Sequence, residues 1–368
     1  MRGKEDKQRG MFVIGDLHSL VDARIPKDHP LRRIKVFADR VLASMSDELE
    51  RLYARTGRAS IPPELLLRAL LWQALFSVRS ERQLEEVLQF DLRARWFVGL
   101  PLGTDAWDHS TFSKARESFL LQEVAHRFFE RHVEMLRDEG LVSDEHLSVD
   151  GTLLGAWASH KSLVSKEDLD ADGKPPPAPA GGRNSWVDFK GTKRSNATHV
   201  SATDPDAKLA SKGTGAKLSH ELSVIAENRN NLVVDFLVES PTGTSERESA
   251  ATLIALAAMR GRAPKTLGAD RKYSEGDTLT LAVAAHGTDP HFAVRDDRPN
   301  ALARVFEDDP GYAISLRARM RIEEIFAFAK TICGLAKLKV RGLGRVLGVC
   351  AIDLAAYNLR RHATLRPA

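Results

Sequence analysis

The spacing of apolar residues changes near residue 140, and this change divides the chain. From His29 to Gly140, apolar positions recur every three or four residues, which predicts helices. Helices are predicted over 31–43, 64–76, 81–89 and 122–139, with Ser80 as an N-cap and Gly140 as a stop. We therefore expect an all-α N-terminal domain over 29–140, preceded by a leader of residues 1–28.

After Gly140, short apolar runs alternate with helical segments. Strands are predicted over 146–150, 218–227, 231–239, 265–270 and 291–294, and helices over 245–260 and 277–286. Three leading strands followed by alternating helices and strands predict an α/β sheet. A polar insertion rich in Pro and Gly, at about 160–215, is expected to be flexible. Residues 141–368 are thus predicted to form a second domain.

Three acidic residues stand out in this second domain. Asp150 and Asp270 each close a short apolar run and so are expected at strand ends. Glu323 belongs to the segment 319–330, whose apolar residues follow a helical period, and it lies between Arg319 and Lys330 at steps of four and seven. Three converging carboxylates would form an oxygen-only site of the kind that suits magnesium.

The chain resembles the DDE transposases of bacterial insertion sequences, in the group whose Glu segment reads Arg, three residues, Glu, six residues, Lys. The resemblance covers nearly the whole chain. Besides 319–330, it is carried by the segments 29–32, 60–64, 79–84, 96–100, 108–114, 150–152, 188–191, 227–229 and 356–359. Two aromatic positions of the pattern differ, since Leu316 replaces a tyrosine and Phe328 replaces an expected tryptophan.

The resemblance implies a fold and a chemistry. The fold would be an α/β ribonuclease-H-like catalytic core, with a mixed sheet flanked by helices, next to the all-α domain. Asp150, Asp270 and Glu323 would be the catalytic residues and the ligands of Mg²⁺, for which Mn²⁺ may substitute. Two ions would support cleavage of DNA and transfer of its 3′ end to a target.

The implied partner is DNA, as terminal inverted repeats and as target, bound by a homodimer or larger assembly. Lys330 and Arg319 would contact DNA near the carboxylates. Lys190 lies in a stretch that mixes cations with hydroxyls, which suits phosphate contacts. Arg79 and Arg82 accompany two predicted helices with helix-turn-helix proportions. A helical hairpin with solvated arginines is the alternative for that pair.

Composition permits this interpretation. The net charge is +4, and Lys and Arg greatly outnumber Asp and Glu from Arg317 to the end, as a phosphate backbone would favour. Two cysteines provide neither a disulfide framework nor a thiolate metal site. The sequence shows no signal segment or membrane span, so a cytoplasmic bacterial protein is expected.

Two other functions remain open from the sequence. One is a transposase-derived DNA-binding protein that has lost catalysis, which the presence of all three carboxylates disfavours. The other is a nuclease of the same fold that cuts DNA without joining it.

Overall fold

The structure, a computed structural model, describes residues 17–51, 60–121, 123–171, 194–213, 215–294 and 301–365. Its internal contacts divide the chain into two units. The first, here called the helical unit, comprises Met1–Ser143, Ala327–Gly334 and Leu347–Ala368. The second, the sheet unit, comprises Asp144–Phe326 and Leu335–Val346. The first boundary lies close to the predicted one, whereas two C-terminal segments belong to the helical unit, although the sequence assigned them to the second domain.

The helical unit begins with eight helices among its described residues. They are α1 (Leu17–Arg24), α2 (Pro30–Ser44), α3 (Ser46–Arg51), α4 (Pro63–Leu75), α5 (Glu81–Phe90), α6 (Leu92–Val98), α7 (His109–Leu121) and α8 (Val124–Asp138). Local chemistry sets several starts: Pro30 and Pro63 occupy first turns, and Ser80 Oγ accepts the Gln83 N–H at 3.2 Å. Phe37, Trp72 and Phe128 are buried in its core. The predicted helices are confirmed.

The sheet unit contains a mixed six-stranded sheet. Its strands are β1 (His146–Gly155), β4 (Lys208–Ala210), β5 (Lys217–Glu227), β6 (Val233–Glu239), β7 (Thr266–Ala269) and β8 (Asp289–Phe292), while β2 (Leu163–Ser165) and β3 (His199–Ser201) pair separately. β1 lies between antiparallel β5 and parallel β7, and β8 extends the sheet beyond β7. On the other side of β5, both β4 and β6 pair with it.

The helices in the second half of the described chain follow the strands or lie between them in sequence. They are α9 (Ser245–Met259), α10 (Asp277–Ala284), α11 (Ala301–Arg304), α12 (Tyr312–Arg319), α13 (Ile322–Ala327), a π-helical turn (Phe328–Ile332) and α14 (Leu343–Leu365). Helix α9 packs on β5, β6 and β1, and α12 packs on β7 and β1. Gly268 permits a close approach, because a Cβ there would lie 3.2 Å from both Ser148 Oγ and the Ser315 carbonyl oxygen.

The insertion has regular structure in its described part. Strands β2 and β3 pair with each other, and β4 joins the main sheet. The Asn196 side chain donates to the Leu209 carbonyl at 2.8 Å and accepts the Leu209 N–H at 2.7 Å. Ala156, Leu163, Ala207 and Leu218 form a small apolar core beside these strands. Local apolar packing thus gives this part regular structure, while the flexibility expected for the insertion stays a prediction.

The single helix expected over 319–330 is wrong. Helix α12 ends at Arg319, α13 begins at Ile322, and a π-helical turn follows at Phe328. At the break, the Arg321 N–H donates to the Ala318 carbonyl and the Asn231 side chain donates to the Arg321 carbonyl. Tertiary hydrogen bonding thus interrupts a sequence whose apolar period is otherwise helical. The apolar residues Ile322, Ile325, Phe326 and Ala329 are buried, as their spacing predicted.

Candidate active site

Asp150 lies on β1, and its side chain is only 18% exposed. The Gly151 N–H donates to its Oδ1 at 2.8 Å. Burial raises the pKa of Asp150 to about 6; the Gly151 hydrogen bond opposes that rise, and the negative charge of Asp270 adds to it. The carboxylate is thus held where additional positive charge would stabilise it.

Asp270 directly follows β7, the parallel neighbour of β1. Ser148 pairs with Gly268 between these strands, and Asp150 and Asp270 each lie two residues further along. Adjacent strands are about 4.8 Å apart, and equal steps along parallel strands keep residues side by side. The Lys272 N–H donates to Asp270 Oδ1 at 2.9 Å. The structure therefore brings the two aspartates together.

Arg319, at the end of α12, contacts the first of these aspartates. Its Nη1 lies 3.4 Å from Asp150 Oδ2, and both side chains are less than a fifth exposed. From the sequence, Arg319 was expected to contact DNA near the carboxylates. The ion pair with Asp150 arises instead because α12 packs on β1 and β7. Side chains alternate between the two faces of a strand, so Asp150 points to the same face of β1 as Ser148, which lies near α12.

Glu323 lies in the first turn of α13 and is exposed. In the described part of the chain, oxygens of Asp150, Asp270 and Glu323 do not all lie within 4.8 Å of one another. The neighbouring Glu324 accepts a hydrogen bond from Asn231 Nδ2 at 3.4 Å. Glu324 is therefore attached to the β5–β6 connection, whereas Glu323 faces solvent one turn beyond the arginine that contacts Asp150.

The donor set suits a hard divalent cation. It offers carboxylate oxygens, the ligands that Mg²⁺ prefers, and the Asp150–Asp270 pair carries mutual repulsion that a cation would relieve. A site with two ions about 4 Å apart spreads its ligands more widely than a single-ion site. Asp150 and Asp270 could both offer oxygens to a cation between them, and an exposed Glu323 can adjust its rotamer more readily than a packed residue.

Two further charged residues lie at this site, and the sequence gave no motif for them. Lys212, in the connection from β4 to β5, donates from Nζ to the Gly151 carbonyl at 2.7 Å and forms an ion pair with Glu246 Oε1. Glu246 lies in the first turn of α9, with Oε2 3.8 Å from Lys272 Nζ. The only signal in the sequence was the glycine after Asp150. A Cβ at position 151 would lie 2.9 Å from Glu246 Cγ, so the contact with Glu246 requires glycine there.

Buried polar groups lie beneath these charges. Burial raises the pKa of Glu221 to about 7, although Ser245 Oγ donates to its Oε2 at 2.9 Å. Tyr273 is fully buried, and within the described residues its hydroxyl has no hydrogen-bond partner. Burial raises the pKa of Tyr273, and the charges of Asp150, Glu246, Asp270 and Glu221 raise it further. The interior beside the aspartates is therefore markedly acidic.

Comparison with protein families gives two matches. Residues 19–118 match a transposase domain (DUF772), and residues 196–359 match the transposase DDE domain. Together they cover more than half of the chain. The chain is a DDE transposase of the insertion-sequence type. A search of curated proteins found no match. Transposases with this domain generally use divalent metal ions and act on DNA, which agrees with the chemistry of the two aspartates.

The matched ranges divide the predicted site residues of the transposase. Asp270, Glu323, Arg319 and Lys330 fall within the DDE match, whereas Asp150 precedes it. Asp150 is therefore attached to the site by its strand pairing with β7 rather than by the match itself. Within the described residues of the transposase, no helix has the length and hydropathy of a membrane span.

The residues predicted to bind DNA have varied environments. Lys330 lies in the π-helical turn and is half-buried. Arg79 is exposed, but its guanidinium donates to the Thr331 carbonyl at 2.9 Å within the helical unit. Arg82 lies on the exposed side of α5. Lys190 is outside the described residues. Of these, Arg79 has a clear structural role, since it holds the end of the π-helical turn.

A separate acidic group lies in the helical unit of the transposase. Glu85, Asp108 and His109 place possible ligand atoms within 4.8 Å of one another. His109 Nδ1 contacts Glu85 Oε2 at 2.9 Å, and Asp108 Oδ1 accepts the Ser110 N–H at 2.9 Å. The Asp108 carboxylate thus caps the start of α7, and the Glu85 carboxylate of α5 contacts His109 in the first turn of α7. The group is explained by helix capping.

Proposed function

We propose that the transposase binds the terminal inverted repeats of an insertion sequence, cleaves DNA phosphodiesters there, and joins the 3′ ends to target DNA. Asp150, Asp270 and Glu323 are its catalytic carboxylates, on a ribonuclease-H-like sheet. The observation that carries the proposal is the position of Asp150 on β1 and of Asp270 just after the parallel strand β7, each two residues beyond the paired residues Ser148 and Gly268. Two carboxylates that meet at such a position suit metal-assisted phosphoryl transfer.

The chain contributes positions and charges to this reaction. Bound divalent cations, of which Mg²⁺ is the proposed one and Mn²⁺ a substitute, supply an activated oxygen nucleophile and stabilise the leaving oxygen. Asp150 and Asp270 hold them from the sheet, and Glu323 completes the set from α13. Arg319 keeps a positive charge beside Asp150. Lys330, Lys190, Arg79 and Arg82 are proposed to contact DNA, and all of them except Lys190 belong to the helical unit. A homodimer or larger assembly would hold two ends.

The decisive experiment compares Asp150→Asn with Asp289→Asn, an exposed aspartate at the start of β8. The substrate is DNA containing the sequences that flank the coding region, incubated with Mg²⁺ or Mn²⁺. We expect Asp150→Asn to lose cleavage while retaining end binding, and Asp289→Asn to cleave like the parent. Calorimetric titration with Mn²⁺ should show weaker binding by Asp150→Asn. Cleavage at the parental rate by Asp150→Asn would remove that residue from its role.

A second comparison tests the third carboxylate and the outcome of the reaction. Glu323→Gln should lose cleavage, whereas Glu324→Gln should retain it, because Glu324 is attached to Asn231. The reverse result would move the role to Glu324. A pre-cut DNA end then separates transposition from simple cutting, since only a transposase joins that end to a second DNA. Cleavage without joining would leave a nuclease, and end binding without cleavage would leave a DNA-binding protein.

A further inference from the structure

The connection between β4 and β5 brings a cation into the proposed active site. Lys212 lies in this connection, and its Nζ is 2.7 Å from the carbonyl oxygen of Gly151, the residue that follows Asp150. Glycines at 213 and 215 have φ values of +101° and +59°, which allow a tight turn there. Among the described residues, nothing lies within 4 Å of a Cβ added at either glycine, so both glycines are open to another molecule.

Glu246 determines where the Lys212 ammonium lies. The Glu246 side chain is 15% exposed and forms the ion pair with Lys212 from the first turn of α9. Its Cγ would lie 2.9 Å from a Cβ at position 151, so the absence of a side chain there lets Glu246 reach the strand. A mostly buried carboxylate on a helix is a firmer anchor than a surface one, because fewer rotamers are open to it.

The two contacts leave part of the ammonium available. Lysine has three N–H donors; among the described residues the Gly151 carbonyl accepts one hydrogen bond, and Glu246 forms an ion pair with the ammonium. The Lys212 side chain is 36% exposed, so the remaining donor can be reached from solvent. Burial raises the pKa of both Asp150 and Glu221, and the positive charge of Lys212 opposes that rise. A negatively charged ligand beside Asp150 would meet this ammonium.

We propose that Lys212 binds a DNA phosphate next to the reacting phosphodiester and that Glu246 is the residue that positions it. This inference rests on the proposed function. A DNA strand at Asp150 and Asp270 brings phosphates to a carboxylate-rich surface, and cations fixed beside the carboxylates are needed to offset that repulsion. Lys212 meets this need from a turn on the same unit.

The first test compares Lys212→Ala and Lys212→Gln with Lys217→Ala, an exposed lysine at the start of β5. DNA binding is measured over a range of salt concentrations, using ends that flank the coding region. Loss of one phosphate contact should weaken binding about tenfold at low salt and reduce the salt dependence by about one released ion. Lys217→Ala should have a smaller effect on both the DNA affinity and its salt dependence. Equal behaviour of the Lys212 and Lys217 variants would overturn the proposal.

Uncharged methylphosphonates then locate the contact. Each is placed in turn at phosphates near the cleavage site, and single-turnover cleavage is measured for parent and Lys212→Gln. At one position, the methylphosphonate should slow cleavage by the parent but should not slow cleavage by Lys212→Gln any further. The variant already lacks the lysine that contacts this phosphate. If every position reduces both proteins equally, Lys212 contacts no phosphate.

The positioning role of Glu246 has its own control in Glu248, an exposed residue of the same first turn that accepts a hydrogen bond from Thr244. Glu246→Gln should weaken DNA binding and flatten its salt dependence, as Lys212→Ala does, while Glu248→Gln remains parental. The double variant Lys212→Ala/Glu246→Gln should be no worse than Lys212→Ala alone. Fully additive losses would show that Glu246 acts independently of Lys212.

The outcomes also separate this inference from the proposed function. Suppose that Asp150→Asn loses cleavage while both Lys212 variants bind and cleave DNA like the parent. This result would overturn the role of Lys212 and leave the proposed function standing. Parental cleavage in Asp150→Asn would instead overturn the proposed function. Thermal unfolding of each variant establishes that the effects come from folded protein.

Discussion

Glu221 shows how strongly a single residue of this sheet is influenced by its surroundings. It lies on β5, where only 4% of the residue is exposed, and its Oε1 has no hydrogen-bond partner among the described residues. Burial raises its pKa to about 7, and the charges of Glu246 and Glu239 act in the same direction. In the unfolded chain the same carboxyl would ionise near its ordinary value of 4.5. Folding therefore favours the protonated form of Glu221.

This shift predicts a pH-dependent gain in stability for Glu221→Gln in the metal-free protein. Because the folded pKa is raised, the stabilisation from the protonated carboxyl is complete below pH 4.5 and is lost as the pH rises through 7. Glutamine stays neutral, so the variant should gain up to about 3 kcal/mol over the parent between pH 4 and 9. Urea unfolding at several pH values measures this. Glu248→Gln, at an exposed position, is the control, and parallel pH curves for parent and Glu221→Gln would contradict the expectation.

At the scale of elements, the close packing of α12 on β7 places Arg319. Gly268 of β7 and Ser315 of α12 approach so closely that a Cβ at 268 would lie 3.2 Å from the Ser315 carbonyl oxygen. His291 of β8 holds the same helix through a 2.8 Å hydrogen bond between its Nδ1 and Ser315 Oγ. The position of Arg319 beside Asp150 therefore depends on a glycine at a distance along the chain.

Gly268→Ala should separate α12 from the sheet. The added methyl group meets backbone, which cannot move as a flexible side chain does, so we expect a loss of about 1–3 kcal/mol in stability. Cleavage should also fall, because Arg319 would be displaced from Asp150. Gly243→Ala is a suitable control, since a Cβ there has nothing within 4 Å. Denaturant unfolding and cleavage assays on both variants measure the difference; equal stability of the two would show that α12 is not held by this approach.

The sequence predicted these elements well where apolar period and burial agree. The apolar runs that lead to Asp150 and Asp270 predicted both strands, so the neighbourhood of the two aspartates followed from their pattern. Asp270 follows the end of β7 as expected, but the strand end expected at Asp150 is wrong, because β1 keeps pairing with β5 as far as Gly155. The break after Arg319 did not follow, because it depends on a hydrogen bond from Asn231, about ninety residues earlier in the chain. Lys212 and Glu246 were missed for a similar reason. A lysine in a polar turn and a glutamate in a first helical turn have ordinary local explanations, and only the fold brings them together.

At the scale of the whole molecule, the two units are interleaved along the chain. The helical unit consists of an N-terminal part and two later segments, Ala327–Gly334 and Leu347–Ala368. Within it, Gly348 of α14 packs on Leu120 of α7, since a Cβ at 348 would lie 2.7 Å from Leu120 Cδ2. Leu354 and Leu359 of α14 are fully buried. The N-terminal helices therefore lack part of their core when expressed alone.

A fragment of residues 1–143 should consequently be much less stable than the same unit in the whole protein. A peptide of residues 343–365, added in trans, should restore cooperative thermal unfolding, because it supplies the apolar face of α14. Circular dichroism during heating, with and without the peptide, measures this. A peptide with Leu354→Asp and Leu359→Asp is the control and should restore nothing. A fragment that unfolds cooperatively at the parental temperature without any peptide would contradict the expectation.

The interleaving also determines when this unit can form during synthesis. The ribosome releases the eight described N-terminal helices long before it has made α14, and nearly all of the sheet unit is translated in between. The apolar residues that α14 covers therefore stay exposed on the early helices until α14 leaves the ribosome. A chain that stops before α14 therefore keeps the N-terminal helices but lacks the apolar residues that cover them.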